Sequence, residues 1–366
     1  MALLRAIRMW ALLALLAAAC GGPAFSPEAS PRALAGIGSS PAPCPGGASI
    51  TIDSAARDNP ATPLTGLYVT VEQAGTAIAT GWTPLSVPDL CAGADYSITA
   101  ADYQSYRFSH WDDGTESAAR TITLQGSASF TAWYQVGGSI IPLYSWPTDA
   151  SGELAQAWSA VAHAHQRWPA VAVIPIVNNQ NGPGPGLDPS WSLGIDALSR
   201  AGCKVAGYVY TQYGQRPLAA VQDDIARWKS WYPQVTALFL DQMSNGGGQE
   251  GYYSAVSAYA RSQGFDFVIG NPGASTLPDY VATVDTLIIH ESTTVPDAFA
   301  PWQASYSPNR FGTLSYGISA LPEMQLTRNK AAVAYQFVTD DGAAPDANPW
   351  DEPSAHLEVL LSLLAP

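Results

Sequence analysis

Hydrophobic and polar positions divide the chain into four stretches. In residues 1–20, Arg5 and Arg8 precede an apolar run at 10–16, and small residues then lead to Cys20. That run is too short to span a bilayer stably, and its flanks fit an export signal. Residues 21–45 are rich in Gly, Pro, Ala and Ser without periodic apolar positions, the composition of a flexible tether. Residues 46–137 alternate apolar and polar positions with period two, as in Ala48-Ser49-Ile50-Thr51-Ile52 and Tyr96-Ser97-Ile98-Thr99-Ala100. This predicts a small all-β, antiparallel sandwich domain.

From residue 138 to 366 the pattern changes to short apolar runs separated by amphipathic stretches, the signature of parallel βα units. Eight strands are expected at 140–146, 171–178, 204–211, 236–241, 267–271, 286–291, 313–317 and 333–339. Helical spacing marks 153–168, 218–232, 252–263 and 354–364 among the segments between them. Eight strands and eight helices at this length, near ~250 residues, predict an α/β fold of the (β/α)8 TIM-barrel type. A doubly wound sheet would show a Gly-rich phosphate turn after strand one, and Tyr144-Ser145-Trp146-Pro147 stands there instead.

Composition narrows the partners. The 366 residues carry 16 Lys and Arg against 30 Asp and Glu, a net charge of -14, so no nucleic-acid partner is expected. Twelve Trp and 17 Tyr with only 13% charged residues suit a surface that meets ligands through aromatic and uncharged polar groups. Four Cys are too few for a disulfide-built scaffold, although export makes a Cys44–Cys91 bridge chemically reasonable. Ala17-Ala18-Ala19-Cys20 resembles a bacterial lipobox, with Leu16 four rather than three positions before the cysteine. Lipidation of Cys20 would make it the sole membrane attachment, and an ordinary signal cut at Ala-x-Ala is the alternative. A monomer is expected.

In barrels of this type chemistry sits at the C-terminal ends of the strands. The polar residues that close apolar strands are Asn178, Thr211, Asp241, Asn271, Glu291 and, after strand eight, Asp340. Asp241 and Glu291 close strands four and six, so they can face each other across the mouth. Paired carboxylates among aromatics are the equipment for cleaving glycosidic bonds. Tyr144, Trp146, Tyr208, Tyr213, Trp302 and Tyr335 are candidate platforms for sugar rings. The plain structural alternative is that Asp241 caps the next segment and Glu291 pairs with an arginine.

Other candidates read as structural. His163 and His165 are two apart on one helix and cannot chelate one metal together; both are expected at the surface. His290 should point away from Glu291, His110, next to Trp111 in the sequence, should be a packed turn residue rather than a ligand, and Cys203 should be a buried thiol. No His/Cys/Asp cluster has metal-ligand spacing, so neither a metal nor a cofactor is expected. Asp340, Asp341, Asp351 and the Asp223-Asp224 pair form a possible acidic patch for a cationic polymer. Residues 138–366 hold 20 acidic and 10 basic residues, a net -10.

Two resemblances sharpen this reading. Phe108-Ser109-His110-Trp111-Asp112-Asp113-Gly114 with Ser129-Phe130-Thr131-Ala132-Trp133-Tyr134 resembles the ending of internalin-type B-repeats. The ordered series Ile141-Pro142-Leu143-Tyr144, Ile176-Val177-Asn178, Asn181-Gly182-Pro183-Gly184, Gly207-Tyr208-Val209-Tyr210-Thr211, Phe239-Leu240-Asp241, Asn271-Pro272-Gly273 and His290-Glu291 resembles the spherulin-4 family. That family corresponds to glycoside hydrolase family 135, related to families 114 and 166. The resemblance implies a barrel hydrolase acting on α-1,4-linked galactosamine or N-acetylgalactosamine polysaccharides of matrix or biofilm. Asp241 would be the nucleophile and Glu291 the general acid/base. Tyr144, Asn178, Tyr208, Thr211, Gln242, Asn271, Trp302 and Asp340 are the candidate substrate-binding residues. Active fungal members carry Asp-Glu where this chain has Asp241-Gln242. A non-catalytic carbohydrate-binding or adhesion protein on the same fold is therefore the alternative function.

Overall fold

A computed structural model describes residues 47–60, 63–342 and 348–365. The export signal with Cys20, the tether and Cys44 lie outside the described residues. Cys91 is disulfide-bonded.

Nine strands build the first domain: β1 (Gly47–Ala56), β2 (Pro63–Leu64), β3 (Tyr68–Gln73), β4 (Thr76–Trp82), β5 (Leu85–Cys91), β6 (Asp95–Ala100), β7 (Arg107–Trp111), β8 (Ala119–Thr123) and β9 (Ala128–Gln135). One sheet has the order β2-β1-β9-β7 with β5 also on β1, and the other has the order β4-β3-β6-β8. Period-two alternation puts Ile50, Ile52, Val69, Val71, Tyr96, Ile98, Trp111 and Tyr134 into the shared core. The expectation of an antiparallel sandwich needs one correction, because β1 and β9 pair in parallel, from Ile50 with Ala128 to Ala56 with Tyr134. Both strands run toward the barrel, and β9 passes directly into its first strand.

The barrel closes in the order β10 (Gly138–Leu143), β11 (Ala172–Val177), β12 (Ala206–Tyr210), β13 (Ala237–Asp241), β14 (Phe267–Gly270), β15 (Thr286–Ser292), β16 (Phe311–Ser315), β17 (Tyr335–Val338). Every residue of β10 and β11 is buried, as parallel strands covered on both sides require. Among the described residues six α-helices pack outside: α1 (Gln156–Arg167), α2 (Pro189–Arg200), α3 (Leu218–Trp231), α4 (Glu250–Ser262), α5 (Glu323–Asn329) and α6 (Leu357–Leu364). Trp158, Val161, Ala162 and His165 form the buried stripe of α1, so His165 is not a surface residue, whereas His163 is exposed. Asp188 caps α2 by accepting from the Ser190 amide at 2.8 Å, with Pro189 in the first turn.

Eight α-helices were expected, and after β14 and β15 only 3-10 turns occur, at Pro278–Thr283, Pro301–Ser305 and Pro308–Arg310. Pro296, Pro301 and Pro308 divide the connection after β15 into stretches too short for an α-helical ladder, and Pro272 and Pro278 interrupt the one after β14.

The floor of the barrel is fused to the first domain. Asp58 is fully buried and accepts from the amides of Val136 and Gly137 and from the Tyr335 hydroxyl at 2.7 Å. Gln135 joins Tyr335 and Asn309, while Arg57 bonds Asp285 at 2.9 Å. Buried polar groups bonded across the two domains in this way hold the two cores in one arrangement.

Candidate active site

Three consecutive strands carry the centre of the mouth. Asp241 is the last residue of β13, Asn271 follows β14, and Glu291 lies near the end of β15. Asn271 Nδ2 donates to Asp241 Oδ1 at 2.8 Å and to Glu291 Oε2 at 2.7 Å. Those two oxygens therefore cannot be further apart than the sum of the distances, about 5.5 Å. The other oxygen of Asp241 accepts from the Tyr208 hydroxyl at 2.5 Å. Among the described residues Glu291 pairs with no arginine; its amide donates to the Gly273 carbonyl at 2.9 Å. Gly273 makes that turn at φ +65°, where a side chain is strained.

Burial raises the pKa of Glu291; the Asn271 bond lowers it and the neighbouring Asp241 charge raises it, and the net shift is upward. Burial also pushes Tyr144 and Tyr208 well above the usual tyrosine range, with Asp241 adding in both cases. Both tyrosines consequently keep their protons. Their rings meet edge to face at 5.8 Å, and the Tyr144 amide donates to the Trp350 carbonyl at 2.8 Å.

The strand that carries Tyr208 is held by a close approach. A Cβ on Gly207 would fall 2.8 Å from the Trp228 ring, and Trp228 Nε1 donates to the Tyr208 carbonyl at 2.8 Å. Thr211 is fully buried, and its hydroxyl donates to the carbonyls of Asp241 and Gln242, each at 2.8 Å. It supports the β13 turn and does not face a ligand, which corrects its assignment as substrate-binding. Gln242 has φ 49°, and its carbonyl also accepts from the Tyr213 amide at 2.7 Å. The turn therefore aims Asp241 through backbone bonds that do not depend on the Gln242 side chain.

Asn178 follows β11, and its buried Oδ1 has no hydrogen-bond partner. The Asn271 Oδ1 is likewise buried and unpartnered. Unpaired buried acceptors at a mouth suit a ligand that brings its own donors.

Several expected residues lie elsewhere. Trp302 packs edge-on against Tyr306 and against Phe311, the first residue of β16, so it belongs to the floor. Tyr335 opens β17 and is bound into the Asp58 network, also at the floor. Asp340 is exposed and accepts from the Ala355 amide at 2.8 Å, which makes it a loop brace. The acidic pair on α3 is neutralised, Asp224 by Arg216 at 2.6 Å and Asp223 by Arg227 at 2.5 Å. His290 bonds the Thr294 carbonyl at 2.6 Å, and Cys203 is a buried thiol pushed up to about 12 by burial. Among the described residues no group of three or more His, Cys, Asp or Glu could hold a metal, and no helix is long and apolar enough to cross a membrane.

Sequence reasoning missed Trp350 and Tyr253 as supports. Tyr253, on α4, meets Thr211 at 3.1 Å and accepts from the Ser244 amide at 2.9 Å. Nothing in the linear pattern separates a tyrosine with such a role from an ordinary core residue of an amphipathic helix.

The family model of spherulation-specific family 4 (Spherulin4) matches residues 139–364, which is the whole barrel. The chain belongs to that family. Spherulin-4 of Physarum polycephalum is 32% identical over 167 residues, covering 44% of this chain and 48% of that protein. The chain thus spans about half the length of this curated family 4 relative. Among solved structures, Sph3 of Aspergillus clavatus in complex with GalNAc superimposes with a TM-score of 0.53 at 19% identity, over 63% of this chain and 98% of Sph3. The family 4 barrel therefore shares a glycosidase-like fold with Sph3.

Proposed function

We propose that this protein is a glycoside hydrolase that cleaves an α-1,4-linked galactosamine or N-acetylgalactosamine polysaccharide with Asp241 and Glu291. The observation that carries the reading is the single Asn271 amide group that holds both carboxylates. Retaining glycosidases place their carboxyl groups ~5–5.5 Å apart and inverting ones ~6.5–9.5 Å. The limit of about 5.5 Å between the bridged oxygens favours retention.

In that mechanism Glu291, whose raised pKa suits an acid, gives its proton to the glycosidic oxygen as the bond to the anomeric carbon breaks. Asp241 forms a covalent ester with that carbon. Glu291, now ionised, then takes a proton from water, whose oxygen displaces Asp241 with a second inversion. Tyr208 and Asn271 hold the attacking carboxylate, and Asn178 offers an acceptor to sugar hydroxyl or amide donors. The choice of sugar rests on the family and on the GalNAc complex of Sph3.

Gln242 motivates a second reading, a carbohydrate-binding protein without turnover. Incubating purified galactosamine and N-acetylgalactosamine polymers with the protein separates the two. Oligosaccharide products absent from Asp241→Asn and Glu291→Gln support the hydrolase; binding without products supports the alternative. We also propose that the protein is exported, attached to the cell envelope through lipidated Cys20, and monomeric. Mass spectrometry of the mature N-terminus and sedimentation test these points.

A further inference from the structure

The outer face of the β4-β3-β6-β8 sheet has a composition unlike the rest of the first domain. At one end Trp82 pairs across the strands with Tyr68, their rings 5.0 Å apart, and Trp82 meets Tyr103 at 5.5 Å. Trp82 is 52% exposed and Tyr103 40%, which is unusual for rings that size outside a binding surface. Hydroxyls fill the next rungs. Thr80, Thr70 and Thr99 stand side by side across three strands, followed by Ser97 beside Thr121 at 3.1 Å.

The strand positions on this face that carry charge are both acidic: Glu72, and Asp95, which accepts from Thr123 at 2.6 Å. The one arginine of these strands, Arg120, turns inward over Phe130 at 4.7 Å and pairs with Asp113 at 2.6 Å. Strand positions without a cation oppose phosphate and other anionic partners, and Arg107, beside the Tyr103 turn, is engaged by the Gln104 and Tyr106 carbonyls and by Asp102. Rows of hydroxyls would be poorly matched by lipid or by an apolar protein surface.

We infer that this face is a second glycan-binding site, and that its occupant is an amino-sugar polysaccharide of the class proposed for the barrel. Identifying the polymer rests on that proposed function; identifying the face does not. Trp82 supplies an exposed ring face for a sugar, with Tyr68 and Tyr103 standing edge-on to it, the hydroxyl rungs exchange hydrogen bonds with the polymer, and Glu72 and Asp95 complement ammonium groups on deacetylated units. Aromatic faces attract the same cations. Holding a long chain at two places turns the second contact into an intramolecular one, which raises apparent affinity without new contacts at the mouth.

Affinity electrophoresis in gels containing partly N-acetylated α-1,4-galactosamine polymer tests this, beside hydrolysis of short oligosaccharides. The variants are Trp82→Ala with Tyr103→Ala, Thr70→Lys as an independent surface change, and Asp241→Asn. The expected result is that both surface variants bind polymer roughly tenfold or more weakly, cleave short oligosaccharides at the wild-type rate and keep the wild-type circular dichroism. Asp241→Asn stays retarded. Surface variants retarded like the wild type overturn the site and leave the hydrolase reading intact. Trp82-dependent binding by a protein that cleaves nothing upholds the site and removes the hydrolase reading. Absence of both binding and cleavage overturns both. A dimer that dissociates on substitution, with unchanged retardation, assigns the face to self-association and overturns the site.

Discussion

The Tyr208 hydroxyl donates to Asp241 Oδ2 at 2.5 Å, and burial together with the Asp241 charge keeps the proton on the tyrosine. The carboxylate is thereby aimed by a neutral donor, so its negative charge is not cancelled by a cation. Hydrogen bonds to charged groups contribute about 1.5–3 kcal/mol. Tyr208→Phe should lower kcat roughly 10- to 100-fold and, because the same bond stands in the resting protein, lower the melting temperature by roughly a few degrees. Steady-state kinetics on a defined oligosaccharide measure this.

Asn271 affects both carboxylates, and its loss should show in the pH profile as well as in the rate. Its hydrogen bond lowers the Glu291 pKa. Asn271→Ala removes that effect, so the alkaline limb of kcat against pH should move to higher pH while the maximum falls. A variant that merely unfolds would lower activity without moving the limb.

Glu291 must be protonated to act as the acid, and its folded pKa is raised. Activity should persist above the usual carboxylate range and fall as pH rises through the raised pKa. In Glu291→Gln that limb should disappear, and substrates with good leaving groups should be cleaved better than the natural linkage.

Gln242 should tune the reaction without carrying it, because its backbone, not its side chain, bonds Thr211 and Tyr213. Gln242→Glu is expected to change kcat by less than about tenfold, against about a thousandfold or more for Asp241→Asn. A larger gain would show that a third carboxyl group is rate-determining. The same assay on both variants decides.

His110 stacks on Trp133 at 6.0 Å, and burial followed by the Arg57 charge pushes its pKa down to about 4. Between pH 6.5 and about 4 the unfolded chain takes up a proton that folded His110 does not. Stability should therefore fall as pH falls through this window, and buried His165, also lowered by burial, acts in the same direction. His110→Gln should flatten the decline in urea midpoint measured from pH 7 to pH 4.

The barrel was legible because each parallel strand is a short apolar run with a polar end, and that pattern survives in a single sequence. Asp241, Asn271 and Glu291 stood out for the same reason. What the pattern could not show was that one amide nitrogen would sit between two carboxylates, since this depends on how far each strand end is staggered. Trp302 illustrates a second limit. An aromatic in a long connection reads the same whether the chain is still at the mouth or has returned to the floor, and Pro301 begins the turn leading to the foot of β16. The parallel β1–β9 pair shows a third, because alternation with period two is identical for both strand directions.

That parallel pair also fixes where the sheet faces stand relative to the reaction. β1 and β9 both arrive at the barrel floor, while Asp241 and Glu291 open on the opposite end of the barrel strands. The first domain thus cannot close over the mouth as a lid. A polymer gripped on the Trp82 face and cut at the mouth must reach along the barrel wall, so short fragments would engage one place and long chains both. The protein would then discriminate by chain length, releasing its products once they fall below the span between the two.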